Sequence, residues 1–340
     1  MLGKVVTFGE VMMRLSPPGF LRLVQARALD VTFGGSEANV AISLAIFGVP
    51  VDHVTRLPDN ELGQACLQFL RQFGVGVGKI IRGGDRLGLY FLEMGAAQRS
   101  SKVIYDRAHS SFATLSRGMI DWRSVLTDAT WLHWSGITPA ISAEAADVCL
   151  EALQIARDLG LTISCDLNYR ARLWTWGRSA GEVMPALVKY CDVLIGSTES
   201  VEKVFGICRP EGQSNAEGYR GLCRALIERF PNLQTVAIAL RGSLSTTHNT
   251  WSGVLWEKGS FYTAPVYDIP FIVDRVGTGD AFVAGLIYGF LAWGADAQRA
   301  LDFAVAASCL KHSLFGDANL VTIGEVERLL GGDSSVHILR

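Results

Sequence analysis

An α/β fold, with a central, mainly parallel sheet covered by helices on both faces, is predicted by three observations. Short apolar runs recur along the chain, at 4–8, 51–55, 131–135, 161–166, 192–196 and 234–240. Longer segments with helical spacing separate them, at 37–47, 61–73, 143–159, 182–190 and 217–230. The final third reads as mostly helical, over 281–294, 297–312 and 323–330. Strands without polar alternation are buried on both faces, and strands that alternate with helices of this length need crossover connections.

Two stretches break that rhythm. Residues 12–32 carry Leu15-Ser-Pro-Pro-Gly19 and then short alternation, and residues 86–107 carry Leu87-Gly-Leu-Tyr-Phe-Leu92 and Lys102-Val-Ile-Tyr105. They are expected to form a small β lid, over 12–32 and 86–109, on a core made of 1–11, 33–85 and 110–340. A lid beside an α/β active site would exclude water. The plainer reading is an extra edge of the main sheet.

Hydrophobic residues make up 49% and charged residues 19%, which supplies a core and argues against disorder. A net charge of −2 disfavours nucleic acid or an anionic membrane as partner. The seven cysteines contain no CxxC pair, so reduced thiols in a cytoplasmic protein are expected, without a zinc site. Met-Leu-Gly-Lys leads directly into a strand and reads as no signal peptide. The longest apolar stretch, Ala281 to Gly294, is too short to span a bilayer. The six histidines show no metal-ligand spacing. Gly74-Val-Gly-Val-Gly78-Lys79 lacks the spacing and the following hydroxyl of a phosphate loop.

The chemistry concentrates in Val273-Asp-Arg-Val-Gly-Thr-Gly-Asp280, an extended run and glycine turn that open a long apolar helix. At such a start the N–H groups of Gly277, Thr278 and Gly279 have no intrahelical acceptor and favour an anion. Glycine lets a phosphate come close to the backbone. Asp280 would then accept the proton of a hydroxyl that attacks a phosphoryl group. An ordinary N-capping Asp explains the residue equally well from composition alone.

Asp274-Arg-Val-Gly-Thr-Gly-Asp280 resembles the second signature of the PfkB/ribokinase family of carbohydrate kinases, and Phe33-Gly-Gly-Ser-Glu-Ala-Asn39 resembles the first. The two lie about 240 residues apart in the expected order. The resemblance spans nearly the whole chain. It implies a ribokinase-like fold, ATP and Mg²⁺ as cofactors, and a small-molecule sugar as acceptor. It further implies Asp280 as base and Gly277, Thr278 and Gly279 as anion hole. Gly34, Gly35 and Asn39 would lie at the sugar, with Asp274 touching substrate or organising the turn. Gly242, Ser243, Ala307 and Asn319 would border the nucleotide. The family's Asn-x-x-Glu segment is altered here to Ser197-Thr-Glu-Ser200, so Ser197 is carried over to the nucleotide side and no residue as a direct metal ligand. Lid sheets that pair between subunits would make a homo-oligomer.

Within that family the chain most resembles kinases of a keto-deoxy sugar acid, 2-keto-3-deoxygluconate, phosphorylated at its 6-hydroxyl. Arg107 and Arg170 would hold the carboxylate by charge-assisted bonds, and Tyr90 and Tyr105 would add hydroxyl or stacking contacts. The competing reading of the arginines is surface pairing with Asp106 and Asp166. Two other functions stay open at this point: a kinase for a neutral sugar such as fructose or ribose, and a non-catalytic sugar-sensing protein of the same fold.

Overall fold

The computed structural model describes residues 2–210 and 215–332. Six parallel strands form the main sheet, in the spatial order Val51–Val54, Val5–Phe8, Trp131–Ser135, Thr162–Asp166, Val193–Gly196 and Thr235–Ser245. Their runs are apolar because both faces are covered. One buried cluster includes Val40, Leu44 and Phe282, and the other includes Val148, Leu153 and Leu226. The sheet continues through three antiparallel strands, His248–Glu257, Ser260–Thr263 and Tyr267–Ile269, which were not anticipated.

The expected second sheet is present and separate. Its order is Asp30–Gly34, Met12–Ser16, Gly88–Glu93 and Lys102–Asp106. The first of these strands runs past the boundary expected at 32, so Phe33 and Gly34 belong to this second sheet.

Helix Thr278–Trp293 starts earlier than the expected 281 and packs on helix Ala297–Lys311. A Cβ on Gly285 would lie 2.7 Å from Cα of Ala304, and one on Gly289 would lie 2.6 Å from Cα of Ala300. The small residues of this helix therefore permit a backbone-to-backbone crossing, which fixes its first turn against the rest of the core. No helix among the described residues is long and apolar enough to cross a membrane.

Candidate active site

The carboxyl ends of the parallel strands and the underside of the lid enclose a cavity of about 1680 Å³. That is the end of an open α/β sheet where ligands bind. The volume accommodates a nucleotide and a small acceptor together, since single-ligand pockets run from roughly 300 to 1,000 Å³.

Gly277 opens the nest with φ 78°, and a Cβ there would lie 1.8 Å from the carbonyl oxygen of Asp317. Both facts require glycine. The N–H groups of Gly277, Thr278 and Gly279 make no hydrogen bond to any described residue. Ser308 Oγ donates to the Thr278 carbonyl at 2.6 Å and holds the turn from behind. Around Gly279 a Cβ would meet nothing within 4 Å. The two glycines are thus expected to respond differently. Gly277→Ala strains the backbone by about 1–2 kcal/mol before the clash is counted, and should lower both stability and activity. Gly279→Ala should keep the unfolding midpoint, yet lose activity, because its methyl projects into the anion site. Equal midpoint losses in urea titrations of the two variants would refute this.

Asp280, 8% exposed, accepts Ser36 Oγ on one oxygen and Asn39 Nδ2 on the other, each at 2.7 Å. Asn168 Nδ2 donates to the same Ser36 oxygen at 2.8 Å, from a residue with φ 37°. Burial raises the pKa of Asp280 and the bonds from Asn39 and Ser36 oppose the rise. Burial, followed by repulsion from Asp280, pushes Asp166 up to about 7. Burial likewise pushes Glu37 to about 7, against bonds from Ser135. Asn39 therefore orients the Asp280 carboxylate, and its own Oδ1 is a buried acceptor without a partner among the described residues.

Several expected residues sit elsewhere or serve otherwise. Asp274 is 1% exposed and behind the nest. It accepts Val276 N on one oxygen, and Arg14 Nη2 and Gly316 N on the other. Of the two roles left open for it, these bonds fit organising the turn, and Asp274 does not line the cavity. Ala307 is fully buried in the helix-packed core and does not line the cavity. Asn319 is 1% exposed, also off the cavity, and its Oδ1 accepts Val321 N. Close packing, the other explanation for such residues, accounts for Ala307. Gly34 and Gly35 line the cavity, but the space of their side chains is filled by the Asp317 carboxyl group and the Glu10 carbonyl. They admit protein, not ligand, on that side. Ser197 lines the cavity and caps its own helix, accepting from Ser200 N at 3.1 Å. Gly242 and Ser243 line the cavity from the end of their strand.

The tyrosines and arginines come from several elements. Tyr90 lines the cavity, but its hydroxyl donates to Asp317. Tyr105 lies beside it, with ring centroids 6.2 Å apart. Arg107 is 8% exposed and pairs with Glu10 through two nitrogens, while Asp106 takes Arg86 at 2.8 Å. Arg170 is exposed at the cavity and forms no ion pair with a described residue; its guanidinium donates to the Tyr169 carbonyl. The surface pairing with Asp106 and Asp166 is therefore absent.

Sequence reasoning missed Glu10, Ser36, Asn168, Arg241, Arg275 and Asp317, all at the cavity. Arg241 Nη2 donates to Thr278 Oγ1 at 3.1 Å and stacks 5.2 Å from the Trp251 ring. Burial, then repulsion from Arg275 and Arg170, pulls Arg241 down to about 10. Neither Arg241 nor Arg275 has a carboxylate partner among the described residues. Three arginines without counter-ions beside an open N–H nest suit a polyanion. No group of three His, Cys, Asp or Glu side chains is placed to hold a metal among the described residues.

The chain is 33% identical to the 2-dehydro-3-deoxygalactonokinase of Haloferax volcanii, over 99% of each. It is 30% identical to the 2-dehydro-3-deoxygluconokinase of Thermoproteus tenax, over 96% of this chain and 94% of that one. The solved structure of the 2-dehydro-3-deoxygluconokinase of Thermotoga maritima is 48% identical and superposes with a TM-score of 0.92, covering 97% of this chain and 100% of the other. Residues 2–322 match the pfkB family carbohydrate kinase, a span that includes both glycine motifs and Asp280. This chain belongs to the pfkB family of carbohydrate kinases.

Proposed function

We propose that this enzyme transfers the γ-phosphoryl group of ATP to the 6-hydroxyl of 2-keto-3-deoxygluconate, the compound also called 2-dehydro-3-deoxygluconate. The observation that carries the reading is Arg170, a cation at the cavity with no ion pair among the described residues, within electrostatic reach of Asp280. Names of relatives over the full chain length support the same acceptor. Asp280 takes the hydroxyl proton as the oxygen attacks phosphorus, and the P–O bond to ADP breaks. The nest, Arg241 and Arg275 carry the charge on the transferring group. Mg²⁺ arrives as part of the nucleotide, on its phosphates. The lid keeps water from replacing the sugar.

A second reading has its own support. The Haloferax volcanii relative is named for the galactonate epimer, so 2-keto-3-deoxygalactonate is the competing acceptor. An ADP-release assay with Mg²⁺-ATP, over both keto-deoxy acids, gluconate, fructose, ribose and adenosine, separates these. Turnover confined to the keto-deoxy acids is expected.

Arg170→Ala is the cleaner arginine test, since Arg107 removal would strand the buried Glu10 carboxylate. It should raise KM for the acid on the order of tenfold to a hundredfold, the worth of a bond between charged groups. Equal loss of kcat on every acceptor would move Arg170 from the sugar to the phosphoryl group. Turnover on fructose or ribose alone would end the sugar-acid reading.

A further inference from the structure

Lys311 is the last residue of helix Ala297–Lys311 and is 0% exposed. Lysine is almost never fully buried unless paired. Yet it forms no close ion pair with a described residue, and its Nζ donates only to the Leu314 carbonyl, at 3.1 Å. Burial lowers its pKa, and the charges of Asp274 and Asp317 act against that fall.

The surroundings explain why a cation is kept there. Asp274 and Asp317 are 1% and 4% exposed, and both pair with the single guanidinium of Arg14, at 2.6 and 2.7 Å. One arginine against two carboxylates leaves one negative charge over. That charge would lie directly behind the anion hole, because the Asp317 backbone packs on Gly277 and Asp274 opens the same turn. A nest that must attract phosphate cannot be backed by uncompensated negative charge in a low dielectric. Lys311 brings the group of Arg14, Lys311, Asp274 and Asp317 to zero, and leaves Asp280, at the cavity, as a buried carboxylate outside that group. It also stands at a helix C-terminus, where the dipole favours a cation.

We infer that Lys311 is a positioning residue for phosphoryl transfer, the internal counter-charge that keeps the backing of the Gly277–Gly279 nest neutral so that it can bind a phosphate anion. The inference rests on the nest as the phosphate site of the proposed reaction. The alternative role is packing alone, by the apolar stem.

Lys311→Gln removes the charge and keeps an N–H donor for the Leu314 carbonyl. Lys311→Arg keeps the charge. The readout is calorimetric affinity for two probes, a non-hydrolysable β,γ-imido analogue of ATP and adenosine, beside kcat for the sugar acid. At an effective dielectric near 20, one unbalanced charge acting over about 8 Å weakens anion binding roughly thirtyfold. The expected result is loss of that order for the triphosphate in Lys311→Gln, with adenosine affinity unchanged, a lower kcat, and recovery in Lys311→Arg. Equal losses for both probes, no loss for either, or an arginine variant no better than glutamine would overturn the inference. If Lys311→Gln does not fold, Lys311→Gln/Asp274→Asn, again at zero net charge, carries the comparison. Restored triphosphate binding then supports the counter-charge, and its failure overturns it. A wild-type enzyme that binds neither nucleotide would fail the proposed reaction itself, before any variant is made.

Discussion

Asp280→Asn is expected to lower kcat by roughly 10²- to 10⁴-fold, the span of a lost general base, while the protein stays folded. The fold should survive for a reason visible in the hydrogen bonds. Asp280 is acceptor-only, so the amide of Asn39 must present Nδ2 to it, which leaves Asn39 Oδ1 buried without a donor. An Asn at 280 brings its own N–H₂, and a flip of the Asn39 amide lets its Oδ1 accept from that group, so the number of unpartnered Asn39 atoms does not rise. Ser36 can donate to the new carbonyl as it does to the carboxylate. The pH dependence follows with a definite sign. The folded pKa of Asp280 is raised, chiefly by burial, above its value in the unfolded chain. The group therefore supports folding at low pH and loses that support as pH rises through the folded pKa. The variant should thus be at least as stable as wild type at pH 8, and its relative midpoint should climb with pH. The acid limb of kcat/KM in the wild type should lie above the ordinary Asp range near 3.9. Turnover by Asp280→Asn within tenfold of wild type would remove Asp280 as the base.

What could be read from the sequence follows the range of the interactions. Parallel strands were legible because burial on both faces makes them continuous apolar runs, as in Val193–Gly196. The hairpin built on His248–Glu257 was not, because Thr250-Trp-Ser-Gly-Val mixes polar and apolar residues without either period. The glycine turn and the place of Asp280 in the first turn of its helix were legible because both are local. The resemblance, not spacing, then supplied their role. Partners across the fold were not legible. Arg14 reaches Asp274 and Asp317 from 260 and 303 residues away. Arg107 finds Glu10, 97 residues back, while the neighbouring Asp106 pairs with Arg86. Adjacent residues in extended backbone point to opposite faces, so sequence neighbours were poor guides to ion pairs. Ala307 and Asn319 lie off the cavity for a related reason: a small or polar residue near a pocket can equally close the packing behind it.

Arg14→Met is expected to cost about 3–5 kcal/mol of stability, the price of stranding buried carboxylates. Arg14 is 3% exposed on lid strand Met12–Ser16, with Nη2 on Asp274, Nη1 on Asp317 and Nε on Ser16 Oγ at 2.9 Å. Burial disfavours its charge, but Asp317 and Asp274 more than offset this and raise its pKa. Methionine fills the volume of the stem, so the loss isolates charge and hydrogen bonds from packing. Against a total of roughly 5–15 kcal/mol for an ordinary domain, that loss is a large fraction. It should appear as a lower urea midpoint at unchanged slope. Arg14→Lys should fall between, because one ammonium cannot span two carboxylates as the planar fork does. Arg14→Met/Asp274→Asn/Asp317→Asn should regain part of the loss, since removing all the charges is milder than stranding some of them. The same pairs join the lid to the nest turn, and Tyr90 on the adjacent lid strand adds its bond to Asp317. Folded Arg14→Met enzyme should therefore also turn over more slowly than its midpoint alone explains. A loss below about 1 kcal/mol would put these pairs in the range of exposed ones, and the lid would then be held by its sheet and apolar contacts, not by this guanidinium.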